Sequence, residues 1–453
     1  MLTFKSISPY DQSLLAEYTI DSDQIIEQKI SKASQAFKVW RKETFLHRGA
    51  ILIKVAEKLR FHKGELAKLM ALEMGKVLEE GRSEIEKCAT TCEFYALNGE
   101  KFLVDEKLTS SAKNSFAAFE PLGVILAIMP WNFPFWQVFR FVAPTLMAGN
   151  TALLKHAQNV TGCAIKIEEI IKEAGAIEGV FQTLILPSDQ LEKVISNDII
   201  QGISLTGSEM AGSSVASLGG KYIRRTVLEL GGSDPLIVLA DADLNKAADI
   251  AIKSRMQNAG QSCIAAKRFI VLKSVLDEFV HLLTQKIALI KQGNPLEESF
   301  TMGPMAREDL ATGLLKQLNE SKEAGAELII GGNCDKANFQ PALLINVPKN
   351  SPAFNEETFG PLAAVVSVKT DEDAINLANS SRYGLGASIW TKDLEKGEKL
   401  AREIESGSVF INAWVKSEPN LPFGGIKKSG YGRELSHFGM KAFVNIKTIY
   451  VGE

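Results

Sequence analysis

From Asn150 onward the chain alternates short apolar runs with segments of helical periodicity, and that alternation limits the folds open to it. Strands are expected over Asn150–Leu154, Phe181–Leu186, Gly202–Thr206 and Arg225–Leu230, with helices over about Thr161–Glu173, Asp189–Ser196 and Met210–Ser217. Strand, helix and strand in repeated order imply parallel pairing with crossover helices, the doubly wound arrangement that holds ligands at strand C-termini. A second alternating set runs from near Pro235 to about Lys428, with strand candidates Phe269–Leu272, Leu328–Ile330, Leu362–Val368 and Val409–Asn412. The fold class is therefore α/β, with two doubly wound domains. Upstream, Ser22 to Cys92 reads as helical, with apolar residues at three- and four-residue spacing such as Leu52, Val55 and Leu59, then Leu66, Leu69 and Met70. Ser115–Phe119 and Leu122–Met129 read as strands separated by Pro121. There is no internal repeat, low-complexity segment or charged tail.

A chain of 453 residues can form two or three domains, each with its own core. A formal net charge of -3 argues against a nucleic-acid partner, since Arg224-Arg225 and Lys267-Arg268 are short, separated clusters rather than a basic face. No apolar run approaches the roughly 20 residues that span a bilayer, and residues 1–20 lack a basic start followed by an apolar core. The expectation is a soluble, unprocessed protein. Five cysteines without regular spacing suggest the reducing cytoplasm. Cys88 and Cys92 lie four apart on one helix, but no histidine is near them, so no metal site is expected.

The chemistry centres on Asn258-Ala259-Gly260-Gln261-Ser262-Cys263-Ile264, where one cysteine sits among small and amide-bearing residues. A thiol attacks a carbonyl only as thiolate and only where backbone can approach the substrate, and Gly260 and Ser262 make that approach possible. A buried structural cysteine is the plainer alternative. Thirty-four residues upstream, Leu228-Glu229-Leu230-Gly231-Gly232 places a carboxylate at the end of an apolar stretch, suited to a general base raised by burial. Pro130-Trp131-Asn132-Phe133-Pro134 closes another apolar strand, and the Asn132 amide held between two prolines can donate to an oxyanion. Such a turn can also be only a structural corner.

These residues belong to a longer series. Along the chain stand Pro130 to Pro134, Leu154-Lys155-His156-Ala157, Leu205-Thr206-Gly207-Ser208, Leu228 to Gly232, Gly260 to Cys263, Glu356-Glu357-Thr358-Phe359-Gly360-Pro361 and Pro422-Phe423-Gly424-Gly425-Ile426-Lys427-Lys428-Ser429-Gly430. In this order they resemble the NAD(P)-dependent aldehyde dehydrogenase superfamily over essentially the whole chain. The short length, Lys155-His156-Ala157 and the run from Gln257 to Arg268 look most like short bacterial succinate-semialdehyde dehydrogenases. The resemblance implies a cofactor-binding domain over 1–102 and 122–230, a catalytic domain over 231–434, and a small β arm over 103–121 and 435–453 that joins subunits into a homodimer or homotetramer.

It also implies NAD or NADP. The fingerprint G-x-G-x-x-G is absent, and Gly207-Ser208, between a strand and a helix, takes its place by offering N–H groups and a hydroxyl to phosphate. Trp131 and Leu230 are further cofactor-binding candidates, and Lys155 is expected to reach the adenosine ribose. Glu357 is expected to accept from the nicotinamide ribose, with Phe359 near the nicotinamide. Read alone, Gly207-Ser208 is a common turn, Lys155 a solvated lysine and Glu356-Glu357 an exposed turn. Many NAD-using members carry glutamate three residues after the lysine, and this chain has Gln158. An amide does not repel a 2'-phosphate, so discrimination between NAD and NADP should be relaxed.

By the same resemblance Cys263 attacks the aldehyde, Asn132 and the Cys263 N–H hold the oxyanion, hydride leaves for the cofactor, and Glu229 activates the water that hydrolyses the thioester. Arg140 matches the residue that meets the carboxylate of succinate semialdehyde, and Ser417, beside Lys416, matches a second contact. Gln257 stands where long members have an arginine, so Ser417 and Lys416 would complete the site. Arg140 can equally be structural, and Phe135, Trp136 and Phe139 would suit an apolar or aromatic aldehyde. A CoA-acylating enzyme would often lack Glu229. A cysteine hydrolase would want a histidine, and His47, His62, His156, His281 and His437 all lie outside the three catalytic motifs.

Overall fold

The computed structural model describes residues 2–452. Its first sheet runs in the order Gly430–Tyr431, Arg225–Glu229, Ile200–Thr206, Val124–Met129, Thr151–His156, Phe181–Thr183. The last five strands are parallel, and Val124–Met129 and Thr151–His156 are buried along their whole length. Sheets covered on both faces carry such continuous apolar runs. Starting from the central Val124–Met129, the chain steps outward on one side, then returns to lay Ile200–Thr206 on the other. That reversal opens a crevice at the C-terminal end of the central strand. The expected helix Thr161–Glu173 is present with those bounds, that expected over Asp189–Ser196 is the shorter Leu191–Ile195, and Glu209–Lys221 extends the one expected over Met210–Ser217 at both ends. Gly430–Tyr431, inside the segment read as the second domain, closes the edge of this first sheet by pairing antiparallel with Arg225–Glu229.

The second sheet has the order Glu327–Ile330, Ala342–Ile345, Leu362–Val368, Ala266–Leu272, Asp234–Val238, Gly386–Trp390, Ser408–Ile411. Only Glu327–Ile330 is antiparallel to its neighbour. Ala342–Ile345 and Gly386–Trp390 escape the sequence reading because short strands buried on both faces need no alternation, and their Ala, Gly and Ser residues carry little β signal.

A third sheet joins Val444–Val451 to Asn114–Pro121 over eight antiparallel pairs, with Glu106–Lys107 outside. The segment read as arm starts instead with the helix Ser436–Lys441. At the other end, the hairpin Thr3–Ile7 with Leu14–Thr19 precedes the helical region, which opens at Asp23 with Ser22 as its N-cap. Cys88 and Cys92 are buried on the 25-residue helix Leu78–Phe102. Among the described residues no helix is long and apolar enough to cross a membrane, and no three His, Cys, Asp or Glu are grouped to hold a metal.

Candidate active site

Asn132, Lys155, Gly207 and Glu229 all stand at or just beyond the C-terminal ends of first-sheet strands. Cys263 and Glu357 come from loops just before Ala266–Leu272 and Leu362–Val368, at the N-terminal edge of the second sheet. The site therefore lies where the trailing edge of one parallel sheet meets the leading edge of the other.

Cys263 is half-buried on a cavity of about 850 Å³ that also meets Trp136, Arg140, Gln257 and Ser417. Burial pushes its thiol up to about 11, opposed by the charges of Arg140 and Lys267 and reinforced by Glu357 and Glu229. The loop before it is tightly constrained. Asn258 and Ala259 adopt left-handed backbone, and a Cβ at Gly260, where φ is 73°, would lie 2.4 Å from the Gly360 carbonyl. Gly260 is thus used to cross the Glu356–Pro361 motif, a backbone contact within the protein rather than the substrate approach expected of it. Arg255 spans the same crossing, donating to Thr358 O at 2.9 Å and to Gly360 O. Lys267, fully buried, donates to Ser262 O at 2.9 Å and Cys263 O at 2.7 Å, and sits 3.4 Å from Glu357.

The Asn132 turn is held by more than its prolines. Lys76 donates to Asn132 O at 3.0 Å and is ion-paired to Glu84. Glu84 in turn accepts the Phe135 and Trp136 N–H groups, each at 2.9 Å. One turn earlier on the same helix Glu80, raised to about 7 by burial, accepts the Asn258 N–H at 3.0 Å. Asn258 Nδ2 bonds Asn132 O at 2.7 Å, and Asn132 Nδ2 donates to Gln261 O at 3.0 Å. One face of one helix therefore fixes the Asn132 turn and the Asn258–Cys263 loop together. An Asn side chain has two N–H donors, so the Gln261 bond occupies one of the pair.

Glu229 ends its strand at 2% exposure, with both carboxylate oxygens buried and without a hydrogen-bond partner among the described residues. Burial, then the charge of Glu434, raises its pKa above the ordinary carboxylate range, while Arg140 and Arg433 oppose the shift. Gly424 makes room for it: a Cβ there would lie 2.6 Å from Glu229 Oε1.

The nucleotide candidates line the crevice. Ser208 caps Glu209–Lys221, accepting from the Ala211 N–H at 3.3 Å, and Gly207 precedes it. Lys155 is buried and donates to Ser188 Oγ at 3.0 Å, while Gln158 is exposed just beyond the same strand. Leu230 packs beneath Gly212 of the capped helix. Trp131 and Phe359 meet edge to face at 5.8 Å, and Glu357 accepts the Gly232 N–H at 3.0 Å. A helix N-terminus, a strand-end lysine and a half-exposed carboxylate beside two aromatic rings form a donor set suited to a dinucleotide.

The substrate candidates are not equally free. Arg140 is 1% exposed, ion-paired with Glu434, bonded to Thr206 Oγ1 at 3.1 Å and stacked on Phe423. The guanidinium expected to meet the substrate carboxylate is thus tied to the protein through Nε and Nη2. Lys416 is exposed on the same cavity and paired with Glu418. Ser417 is buried and accepts from Trp136 Nε1 at 3.1 Å and Lys87 Nζ at 2.9 Å. Gln257 is half-buried on the cavity wall. Sequence reasoning passed over Lys76, Glu80, Glu84, Lys87, Arg255 and Glu434, and it read Lys267-Arg268 as a short solvated cluster where both side chains are buried. For Lys76, Glu80, Glu84 and Lys87 the available signal was the run of charges leading into and along the helix Leu78–Phe102, whose other residues include the buried Ile85, Cys88, Ala89 and Cys92.

A half-buried thiol in the same low-dielectric site as an unbonded buried carboxylate, between two parallel sheets, is the equipment of a cysteine-dependent oxidoreductase of the α/β class. The chain belongs to the aldehyde dehydrogenase family, whose sequence model matches residues 2–449. It is 47% identical to a probable succinate-semialdehyde dehydrogenase (NADP+) of Synechocystis sp., over 99% of this chain and all of that protein. With succinate-semialdehyde dehydrogenase (NADP+) of Mycobacterium avium it shares 41% identity, covering 99% and 96% of the two chains. Succinic semialdehyde dehydrogenase from Streptococcus pyogenes, solved in complex with NADP+, superposes with a TM-score of 0.97 at 37% identity over 99% of this chain and all of that one.

Proposed function

We propose that this protein oxidises succinate semialdehyde to the corresponding acid with NAD(P)+, in the cytoplasm and as a homodimer or homotetramer. The observation that carries the chemistry is the shared setting of Cys263 and Glu229, with Asn132 fixed beside the nucleophile loop. The substrate follows from the relatives' activity and from the positively charged wall around Ser417.

The Cys263 sulfur, as thiolate, bonds to the aldehyde carbon, and the carbonyl oxygen becomes an alkoxide. Asn132 and the Cys263 N–H donate to that oxygen, and one such donor lowers a barrier by about 3 to 4 kcal/mol. Trp131, Lys155, Gln158, Gly207, Ser208, Leu230, Glu357 and Phe359 hold the dinucleotide, whose nicotinamide accepts hydride when bound. Once the alkoxide has collapsed to a thioester, Glu229 takes a proton from water, the hydroxide adds to the thioester carbon, and the sulfur leaves as thiolate. Arg140 lends positive charge to the cavity wall, Ser417 supplies a hydroxyl, and Gln257 adds a neutral amide. Following reduced-cofactor absorbance with succinate semialdehyde and neutral aldehydes, with and without CoA, tests this reading. Turnover should favour succinate semialdehyde, need no CoA, and vanish in Cys263→Ala while cofactor binding persists; a CoA requirement or active Cys263→Ala would overturn it.

A further inference from the structure

Lys87 lies on the cavity side of the helix Leu78–Phe102, half-buried, with its ammonium 2.9 Å from Ser417 Oγ and 4.0 Å from the centre of the Trp136 ring. The carboxylates whose charges act on it, Glu84 and Glu418, are already committed. Glu84 pairs with Lys76, Glu434 with Arg140, and Glu418 with Lys416. Among the described residues no carboxylate forms an ion pair with Lys87, so a charge largely removed from water faces the cavity without a counter-ion. Such a group is costly unless an anion joins it. Burial, followed by the charge of Arg140, draws its pKa down to about 8, which leaves it mostly charged at neutral pH. Ser417 is poised in a complementary way. Its oxygen receives Lys87 Nζ and Trp136 Nε1, filling both acceptor positions of a hydroxyl and leaving the O–H proton directed to neither.

We infer that Lys87 and Ser417 together form the seat for the distal carboxylate of the substrate, Lys87 supplying the charge and Ser417 the O–H donor. Arg140 lines the same cavity with its Nε and Nη2 turned to Glu434 and Thr206, and Lys87 adds a half-buried cation there with no carboxylate partner among the described residues. Cys263, Trp136, Lys87 and Ser417 share one cavity, so an aldehyde carbon at the thiol and an anionic tail at Lys87 belong to one short molecule. This inference rests on the proposed substrate and adds the residue that selects it.

The measurement is the ratio of kcat/KM for succinate semialdehyde to that for butanal, which has the same four carbons without the charge. Lys87→Met should lower this ratio by about tenfold to a hundredfold, with the loss expressed in KM for succinate semialdehyde. Lys87→Arg should recover much of it, because the positive charge is kept, and Ser417→Ala should lower it by a smaller factor. A high wild-type ratio left unchanged by Lys87→Met, or lowered as far by Lys87→Arg as by Lys87→Met, overturns the seat while leaving the proposed substrate intact. A wild-type ratio near one overturns the proposed substrate itself, and the seat with it.

Discussion

Glu229 is the residue whose surroundings say most about rate. A carboxyl group buried without hydrogen bonds and facing Glu434 prefers its proton, so its pKa lies above the free value. A base must be ionised to take a proton from water. The sign is therefore that deacylation is suppressed at acidic pH and rises with pH as Glu229 ionises, which the pH profile of steady-state kcat will show. Glu229→Gln should give a burst of reduced cofactor equal to about one active site and then stall, measured by stopped-flow absorbance. Arg140 yields a different expectation. Removing its guanidinium leaves Glu434 buried and unpaired beside Glu229, so Arg140→Ala should lower kcat/KM for succinate semialdehyde and butanal alike, by about 2 to 4 kcal/mol. A loss confined to succinate semialdehyde would restore Arg140 as a direct ligand of the carboxylate. Gln158, exposed and neutral, should leave the kcat/KM values for NAD and NADP within about two orders of magnitude, and Gln158→Glu should shift the ratio toward NAD. Cys263, Glu229 and Asn132 stand out in the sequence because each sits in a run of unusual composition, a thiol, a carboxylate or an amide among small residues or prolines. Lys87 and Lys267 do not, since a lysine in a linear sequence reads as solvated, and only the fold removes its water.

At the scale of elements, the helix Leu78–Phe102 does for the site what the prolines around Asn132 were expected to do. Lys76, just before the helix, and Glu84, inside it, are buried partners that also bind the backbone of the oxyanion turn. Breaking such a pair from one side leaves a charge without water or partner, at a cost of about 3 to 5 kcal/mol. Lys76→Met should accordingly lower the denaturation midpoint, and should slow acylation because the Asn132 turn loses its anchor; an unchanged midpoint with normal kcat would show the network to be dispensable. The alternating pattern from Asn150 to Leu230 disclosed the first sheet well, because its strands are separated by helices with a clear three- and four-residue period. It disclosed the second sheet less well. Gly386–Trp390 and Ala342–Ile345 are short strands supported by neighbours distant in sequence, and the hairpin Thr3–Ile7 with Leu14–Thr19 is half-exposed with no tight-turn signal.

At the scale of the whole molecule, the three-stranded sheet leaves a long edge open. Val444–Val451 is the outer strand of the three-stranded sheet, eight residues long, and its free side presents an unpaired row of N–H and C=O groups. A long exposed edge invites pairing with another chain, and proteins usually blunt or cover it. Here Ile446 is 62% and Tyr450 57% exposed, on the same face of the strand by the two-residue period. Two large apolar side chains at the free edge fit a surface that a second copy of this chain covers, in keeping with the proposed homo-oligomer. Both side chains replaced in the double variant Ile446→Lys, Tyr450→Lys are more than half exposed, so the far-ultraviolet spectrum should be preserved. Light scattering during gel filtration should move from the mass of a dimer or tetramer toward 49.5 kDa, the mass of one chain. A native mass unchanged by both substitutions would place the subunit contact elsewhere and leave this edge protected by its twist and by Lys447 alone.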